Sequence, residues 1–402
     1  MVLDGAYSLG ELERRRQLEV VTSRDLDGFF THVWSVHPLV GASPQHANDV
    51  SYGPPSERRL SERHTVIEGH ASFSSALSQR WPVLSLLLAQ RRLLFRLVGV
   101  ADEAGIGLVQ AEDPYYLALF GMAVKLSRGI PLAIRVSGNY DAIHKTLGKP
   151  AYPRLLRSRK LEKVIEHWAF SHCDLVLAIN HDNLQYALNN GADPNKSYVV
   201  PLTSSIHPSH FLAPSLRPPP PADAPLAAEY QVAIVSRLEP VKHVEDIIAV
   251  MRELKEEFPG SSAIVIGDGS LRAQMQRRAE SASLDIRFVG VRDQEWIGAV
   301  LPKVTAVVSP LTGRSLIEAA LSGTPIVAYD AEWQSEVVTD GVTGRLVTNR
   351  DTHAMAAAVA DLFRDPAIRA DLGAACRKRV VETMGPEAVL AKERQVYGSV
   401  VP

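Results

Sequence analysis

The stretch Ser309-Pro-Leu-Thr-Gly-Arg-Ser-Leu-Ile-Glu-Ala-Ala-Leu-Ser-Gly-Thr-Pro-Ile-Val-Ala-Tyr-Asp330 decides how the chain is read. The apolar run Thr305 to Val308 ahead of it reads as a buried parallel strand, and the glycine-containing turn that follows opens a helix through Leu321. Such a turn offers unused backbone N–H groups and the positive end of a helix dipole to an anion. Glu318 lies one turn into the helix, where a carboxylate accepts hydrogen bonds from a sugar hydroxyl, and Gly323-Thr-Pro325 ends the helix and starts the next strand. A strand, an anion-binding turn and a hydroxyl-binding carboxylate in that order point to a nucleotide-diphosphate site.

Outward from this stretch, short apolar runs alternate with helical patterns, the sequence form of a parallel sheet covered by helices. Before it come strands at Val232 to Val235, Ala263 to Ile266 and Ile286 to Val289, with helices from about Val244 to Glu257 and near Leu271 to Ala282. In the first half the strand candidates are Phe29 to Val36, Gly107 to Gln110, Pro131 to Val136 and Leu175 to Ile179, with His64 to Ala71 as a further one. Residues 41 to 63, rich in Ser, Pro and Gly, read as a loop. Four consecutive prolines, Pro218 to Pro221, cannot continue a helix or a central strand and mark a linker. The chain therefore divides into a Rossmann-like domain over 1–212, a linker over 213–228, a second Rossmann-like domain over 229–384 and a terminal helix within 385–402.

Composition agrees with two globular domains: 402 residues, 46% hydrophobic and 22% charged, are too many for one ordinary core. A formal net charge of −2 lacks the basic excess of nucleic-acid binders, so nucleic acid is not an expected partner. Cys173 and Cys376 stand far apart, which implies neither a disulfide framework nor a zinc site. The thirteen histidines show no ligand spacing, so no bound metal is expected. The opening residues lack a signal-peptide core, and no apolar run reaches the roughly 18 to 20 residues of a spanning helix. The expectation is a cytoplasmic protein. Its oligomeric state is not readable from the sequence.

Ligands of open parallel sheets sit outside the carboxyl ends of the strands. There the chain carries His37-Pro38, Asp113-Pro-Tyr-Tyr116, Ser137-Gly-Asn-Tyr-Asp141 and Asn180-His-Asp-Asn183 in the first half, and Ser236-Arg-Leu-Glu-Pro-Val-Lys242, Gly267-Asp-Gly-Ser270, Val291-Arg-Asp-Gln294, Leu311-Thr-Gly-Arg-Ser315 and Asp330-Ala-Glu-Trp-Gln-Ser-Glu336 in the second. Two sheets facing one another would enclose a small-molecule cleft.

In the second half, Ser236-Arg-Leu-Glu-Pro-Val-Lys242, Val265-Ile-Gly-Asp-Gly269, Phe288-Val-Gly290, Leu316-Ile-Glu-Ala-Ala320, Gly323-Thr-Pro-Ile-Val-Ala328 and Glu336-Val-Val-Thr-Asp-Gly-Val-Thr-Gly344 follow one another in an order that resembles the donor domain of family 4 retaining glycosyltransferases of the GT-B fold. The resemblance covers about residues 230 to 380, and more loosely Gly107 to Phe211. It implies an α/β fold of two Rossmann-like domains facing across a cleft. Arg237 and Lys242 correspond to the pair that holds the donor diphosphate, a task suited to a guanidinium fork and an ammonium as charge builds on the leaving group. Glu318 corresponds to the ribose-binding carboxylate; Gly313, Arg314 and Ser315 would place N–H groups near phosphate. Val291 and Arg292 would flank the nucleobase, with Ser236 and Gly267 on the donor side, Gly267 more as part of a sharp turn than as a phosphate grip.

The chain departs from the family at two places. Pro310 stands where the family has a Glu that contacts the transferred sugar, and Asp330 and Glu332 are the candidates to replace it. Ser137-Gly-Asn139 stands where the family often has a histidine. His37 and Asp141 are candidates for acceptor binding or proton handling, against the plainer reading of His37 as a loop histidine before Pro38. Tyr115, Ser137 and Asn139 are placed on the acceptor side.

Two basic segments remain. Arg80 to Val98 reads first as a helix packed on the sheet and second as a peripheral membrane contact. Arg154, Arg157, Arg159, Lys160 and Lys163 read as the solvated basic face of a helix. The expected activity is retaining transfer of a hexose-type sugar from a nucleotide diphosphate sugar, with UDP as the base implied by the family, to a glycan, lipid-linked sugar or small natural product. The nucleotide sugar is a co-substrate, and no cofactor is expected. The alternatives are a catalytically weak nucleotide-sugar-binding protein and a GT-B epimerase.

Overall fold

A computed structural model describes residues 1–14, 18–40, 52–151, 158–201, 206–226 and 229–401. The chain forms two compact units, the first of Met1–Leu202 with Val389–Pro402 and the second of Thr203–Ala388.

The first unit holds strands β1 (Val2–Leu3), β2 (Val33–Val40), β3 (Ser56–Arg59), β4 (His64–His70), β5 (Val109–Ala111), β6 (Leu132–Val136), β7 (Leu175–Ala178) and β8 (Ser197–Val199) in the order β3-β4-β2-β1-β5-β6-β7-β8. Only β3 is antiparallel to its neighbour. The second unit holds β9 (Gln231–Val235), β10 (Ser262–Ile266), β11 (Ile286–Gly290), β12 (Ala306–Ser309), β13 (Ile326–Asp330) and β14 (Arg345–Thr348), all parallel, in the order β11-β10-β9-β12-β13-β14.

Why these apolar runs form strands is visible in where alternate residues go. Val232, Ile234, Ala263, Val265, Ala306 and Val308 enter one core of the second unit. Ala233, Val235, Ile264, Ile266 and Val307, one residue out of phase, enter the other. A sheet buried on both faces needs apolar residues at every position, with each fully buried Val or Ile contributing about 1.5–3 kcal/mol. The first unit repeats the pattern. Ile134, Val136, Val176 and Ala178 face the core that takes Leu93, Leu97 and Val100 of the helix Pro82–Glu103. Ala133, Leu175 and Leu177 face Val389, Val396 and Tyr397 of the helix Pro386–Gly398. Arg135, on that second face, is buried and pairs with Glu393 and the Tyr397 hydroxyl.

The differences from the sequence reading are local. The strand expected over Phe29 to Val36 is shifted to Val33–Val40, because Leu26 and Asp27 adopt left-handed backbone and Phe29 and Phe30 stack edge-on beside a turn. Residues 41–51 of the expected loop lie outside the described residues, while Ser56–Arg59 is an edge strand whose four side chains are all exposed. The proline-rich stretch is held to the second unit by Arg217, which donates to the carbonyls of His210, Gly298 and Leu321. Arg154 and Arg157 lie outside the described residues. Arg159 and Lys163 are not a solvated face: both pair with Glu166, which is fully buried.

Candidate functional site

In the second sheet β9 leads to β10 and β11 on one side, whereas β12 leads to β13 and β14 on the other. The carboxyl ends of β9 and β12 thus flank the point where the winding reverses, the place where parallel sheets open a crevice. The turns carrying Arg237, Lys242 and Gly313 to Glu318 leave these two strands.

The turns interlock. Ser315 Oγ donates to the Val235 carbonyl at 2.5 Å and to Thr312 O at 2.9 Å, which seats the helix Ser315–Ser322 against the end of β9. A Cβ built on Gly267, whose φ is +136°, would lie 1.8 Å from Ser236 O, and one on Gly269 would lie 2.5 Å from Leu238 O. Glycine is required because the two backbones touch. Leu238 N donates to Asp268 O and Leu271 N to Leu238 O, both at 2.9 Å. Gly267-Asp-Gly269 is therefore a buttress that fixes the turn carrying Arg237.

Arg237 is exposed and Lys242 half-buried, and among the described residues neither side chain makes a hydrogen bond or ion pair. A Cβ on Gly313 would lie 3.8 Å from Lys242 Nζ, so the ammonium sits at the mouth of the β12 turn. Burial pulls its pKa down from the ordinary lysine value; Glu332 opposes that, and the like charge of Arg237 adds to it. Gly313 has φ +71°, and the first backbone bonds of the turn are Leu316 N to Gly313 O at 3.0 Å and Ile317 N to Arg314 O at 2.9 Å. The opening amides precede these bonds. Two neighbouring cations and an unsatisfied helix start are groups chemically suited to an anion.

Glu318 is only 2% exposed. Burial raises its pKa, partly offset by Arg314, whose Nε lies 3.5 Å from Oε1. Val291 is exposed after β11, and Arg292 lies over the Trp296 ring at 5.0 Å with Nη1 2.9 Å from Asp223. Trp296 Nε1 donates to the same Asp223 at 3.1 Å. Trp296 is buried, and its ring with Asp223 holds the part-exposed Arg292 guanidinium beside exposed Val291.

The backbone at Pro310 is held by Gln334, which the sequence reading placed at a strand end without giving it a role. Gln334 is buried, donates to Pro310 O at 2.7 Å and Tyr329 O at 3.0 Å, and accepts from Ser309 Oγ at 2.6 Å. The backbone at 310 is thus fixed by a neighbouring amide, with no carboxylate at that position. Asp330 and Glu332 are exposed at the end of β13, Glu332 with a left-handed φ of +52° and close enough to Lys242 to act on its charge.

The first-unit candidates fare differently. Because β2 runs on to Val40, His37 lies inside the strand, buried and in register with Glu68, instead of in a loop at the strand end. Tyr115 is fully buried; its hydroxyl donates to Glu166 and also meets Tyr186 at 2.9 Å and Arg159 at 2.8 Å. It is a packing residue, out of reach of an acceptor. Asn139 caps the helix Tyr140–Leu147 by accepting from Ala142 N at 3.0 Å and donates to Asp182 at 3.2 Å. Asp141 holds Arg159, Lys163 and Asn190. Burial pushes its carboxyl up, but hydrogen bonds from Asn190, Arg159 and Lys163 outweigh this and hold it at about 2, too acidic for proton handling near neutrality. Ser137, directly after β6, is exposed. Among the described residues, no group of three or more His, Cys, Asp or Glu side chains is placed to hold a metal ion.

The family match falls within the second unit. Residues 224–379 match the family described as Glycosyl transferases group 1. A glycogen synthase of Mycobacterium tuberculosis is 32% identical over 182 residues, 44% of this chain and 44% of that protein, so the chain matches less than half the length of this relative. Over nearly whole chains, the Anabaena protein HepE in complex with UDP-glucose superimposes with a TM-score of 0.67 at 18% identity, covering 99% of this chain and 98% of that one. Sucrose-phosphate synthase of Thermosynechococcus elongatus gives 0.68 at 18% identity, with 99% and 98% covered. At such identities the agreement is one of fold, and the fold is GT-B: α/β, with two Rossmann-like units.

Proposed function

We propose that this chain is a glycosyltransferase that moves a hexose from a UDP-sugar to a sugar-containing or small-molecule acceptor with retention of configuration, in the manner of family 4. The observation that carries the reading is the convergence of Arg237, Lys242 and the Gly313–Ser315 amides on the switch point of the second sheet, with buried Glu318 one turn away. The cations take the diphosphate and Glu318 takes ribose hydroxyls. As the glycosidic bond breaks, negative charge grows on the β-phosphate, and unpaired cations held by a glycine buttress stabilise it without reorganising. The leaving phosphate then accepts the acceptor's proton on the face it departs from, which gives retention. The group 1 match over residues 224–379 supports transfer, and UDP-glucose in the HepE structure supports the choice of UDP.

A second reading, nucleotide-sugar binding without efficient transfer, is favoured by the amide-fixed Pro310 where the family has a carboxylate. Incubating the chain with UDP-, GDP-, ADP- and TDP-sugars and an acceptor panel, then reading nucleotide release and the product anomer by NMR, separates them. Release of UDP with an axial product from an axial donor supports transfer; binding with no release in any combination supports the second reading.

A further inference from the structure

The helix Pro82–Glu103 carries apolar side chains on two opposite sides. One face, with Leu93, Leu97 and Val100, is buried in the first unit's core. The opposite side and the residues leading into it, Trp81, Val83, Leu84, Leu87 and Phe95, are exposed, from 46% for Leu84 to 68% for Val83. An amphipathic helix of a globular domain has a charged outer face. Here Leu84, Leu87 and Phe95 lie on the outer side over 11 residue steps, about 16 Å of helix, with exposed Arg91 between Leu87 and Phe95 and Trp81 just ahead of the helix. Exposed apolar area of this extent marks an interaction surface.

Its charge says what covers it. No Asp or Glu occurs between Glu68 and Asp102, whereas Arg80, Arg91 and Arg92 lie beside or among these apolar residues. None of the three forms an ion pair among the described residues; Arg91 lies over the Phe95 ring at 5.2 Å and Arg92 over Phe73 at 4.2 Å. Arg96, by contrast, is neutralised by Glu57 and Glu103. A second copy meeting this face about a twofold axis would bring like charges together. We infer that this face docks on an anionic lipid surface. Leu84, Leu87 and Phe95 enter the acyl boundary, Trp81 sits at the headgroup level, and Arg80, Arg91 and Arg92 meet the phosphates. This inference does not depend on the proposed transfer reaction.

The test is co-sedimentation of the full chain with vesicles of phosphatidylcholine alone and of phosphatidylcholine with phosphatidylglycerol. Leu84→Ser/Leu87→Ser and Arg80→Gln/Arg91→Gln are run beside it, each checked for an unchanged melting temperature. Binding to the anionic vesicles, weakened by salt, is expected, with about fivefold lost per arginine removed and at least as much in the leucine variant. A blue shift of tryptophan emission on those vesicles, lost in Trp81→Phe, is the second readout. Absence of binding to the anionic vesicles overturns the proposal, as does equal binding to both vesicles or binding unchanged in both variants. A wild-type dimer in sedimentation velocity that the leucine variant dissolves also overturns it, as does capture by an acidic protein in preference to the vesicles.

Discussion

Replacing Lys242 by methionine isolates the charge at the switch point. The lysine side chain is half-buried, makes no hydrogen bond or ion pair among the described residues, and has its pKa lowered mainly by burial. It thus contributes no hydrogen bond or ion pair that holds the fold among the described residues. A lysine whose folded pKa lies below its unfolded value binds fewer protons when folded, so its charge costs stability below both values, and that cost fades as pH rises through the interval. Lys242→Met removes the cost, and the melting temperature at neutral pH should stay level or rise slightly. Catalysis should move the other way. If Lys242 stabilises charge that develops on the leaving phosphate, its loss raises the barrier by about 3–4 kcal/mol, a kcat lower by about two to three orders of magnitude. The assay is UDP release under saturating donor, with thermal unfolding of the same preparation. An unchanged kcat would refute the reasoning. So would a kcat loss matched by a melting temperature several degrees lower, because Lys242 would then be a structural residue.

Other substitutions probe the same geometry. Gly267→Ala places a methyl 1.8 Å from Ser236 O at φ +136°, and chemical denaturation should show a loss of at least about 2 kcal/mol. Gln334→Ala removes three buried hydrogen bonds at the β12 turn and should cost about 2–3 kcal/mol while raising the donor KM, read by denaturation and kinetics together. Glu318, with a raised carboxyl pKa, binds more protons folded than unfolded, so its contribution to stability falls as pH rises from its unfolded value through its folded one. Glu318→Gln should therefore melt higher than wild type at pH 7, equal to it near pH 4, and bind UDP about tenfold more weakly at pH 7 by calorimetry. Tyr115→Phe should lower stability by about 1–3 kcal/mol without altering the acceptor KM; a change in that KM at unchanged stability would restore Tyr115 to the acceptor site.

The second unit was legible because its signals are local. β9, β10 and β12 each centre on a continuous apolar run, and a left-handed glycine stands at or just after the ends of β10, β11 and β12, at Gly267, Gly290 and Gly313. The first unit hid three features. β1 is two residues long, too short for any periodicity, although it lies at the centre of the sheet. β3 has four exposed polar residues and lacks the alternation that identifies a half-buried strand. Phe29 and Phe30 mimicked the start of β2 while belonging to a turn, and that error placed His37 outside the strand. For Tyr115, Asn139 and Asp141 the sequence showed strand-end polarity but not the partners. Glu166, Asp182 and Asn190 satisfy them from other elements, 51, 43 and 49 residues away. The role of Gln334 escaped for the same reason: it is set by the carbonyls of Pro310 and Tyr329 that the fold brings to it.

The most direct measurement is isothermal titration of UDP-glucose and UDP into the wild-type chain, Arg237→Ala and Glu318→Ala. Saturable binding to wild type is expected, weakened at least about tenfold in each variant, with folding unchanged in Arg237→Ala because that side chain is exposed and unpaired among the described residues. Absence of binding to wild type, or affinities that neither substitution alters, would contradict a nucleotide-sugar site at the β9–β12 switch point.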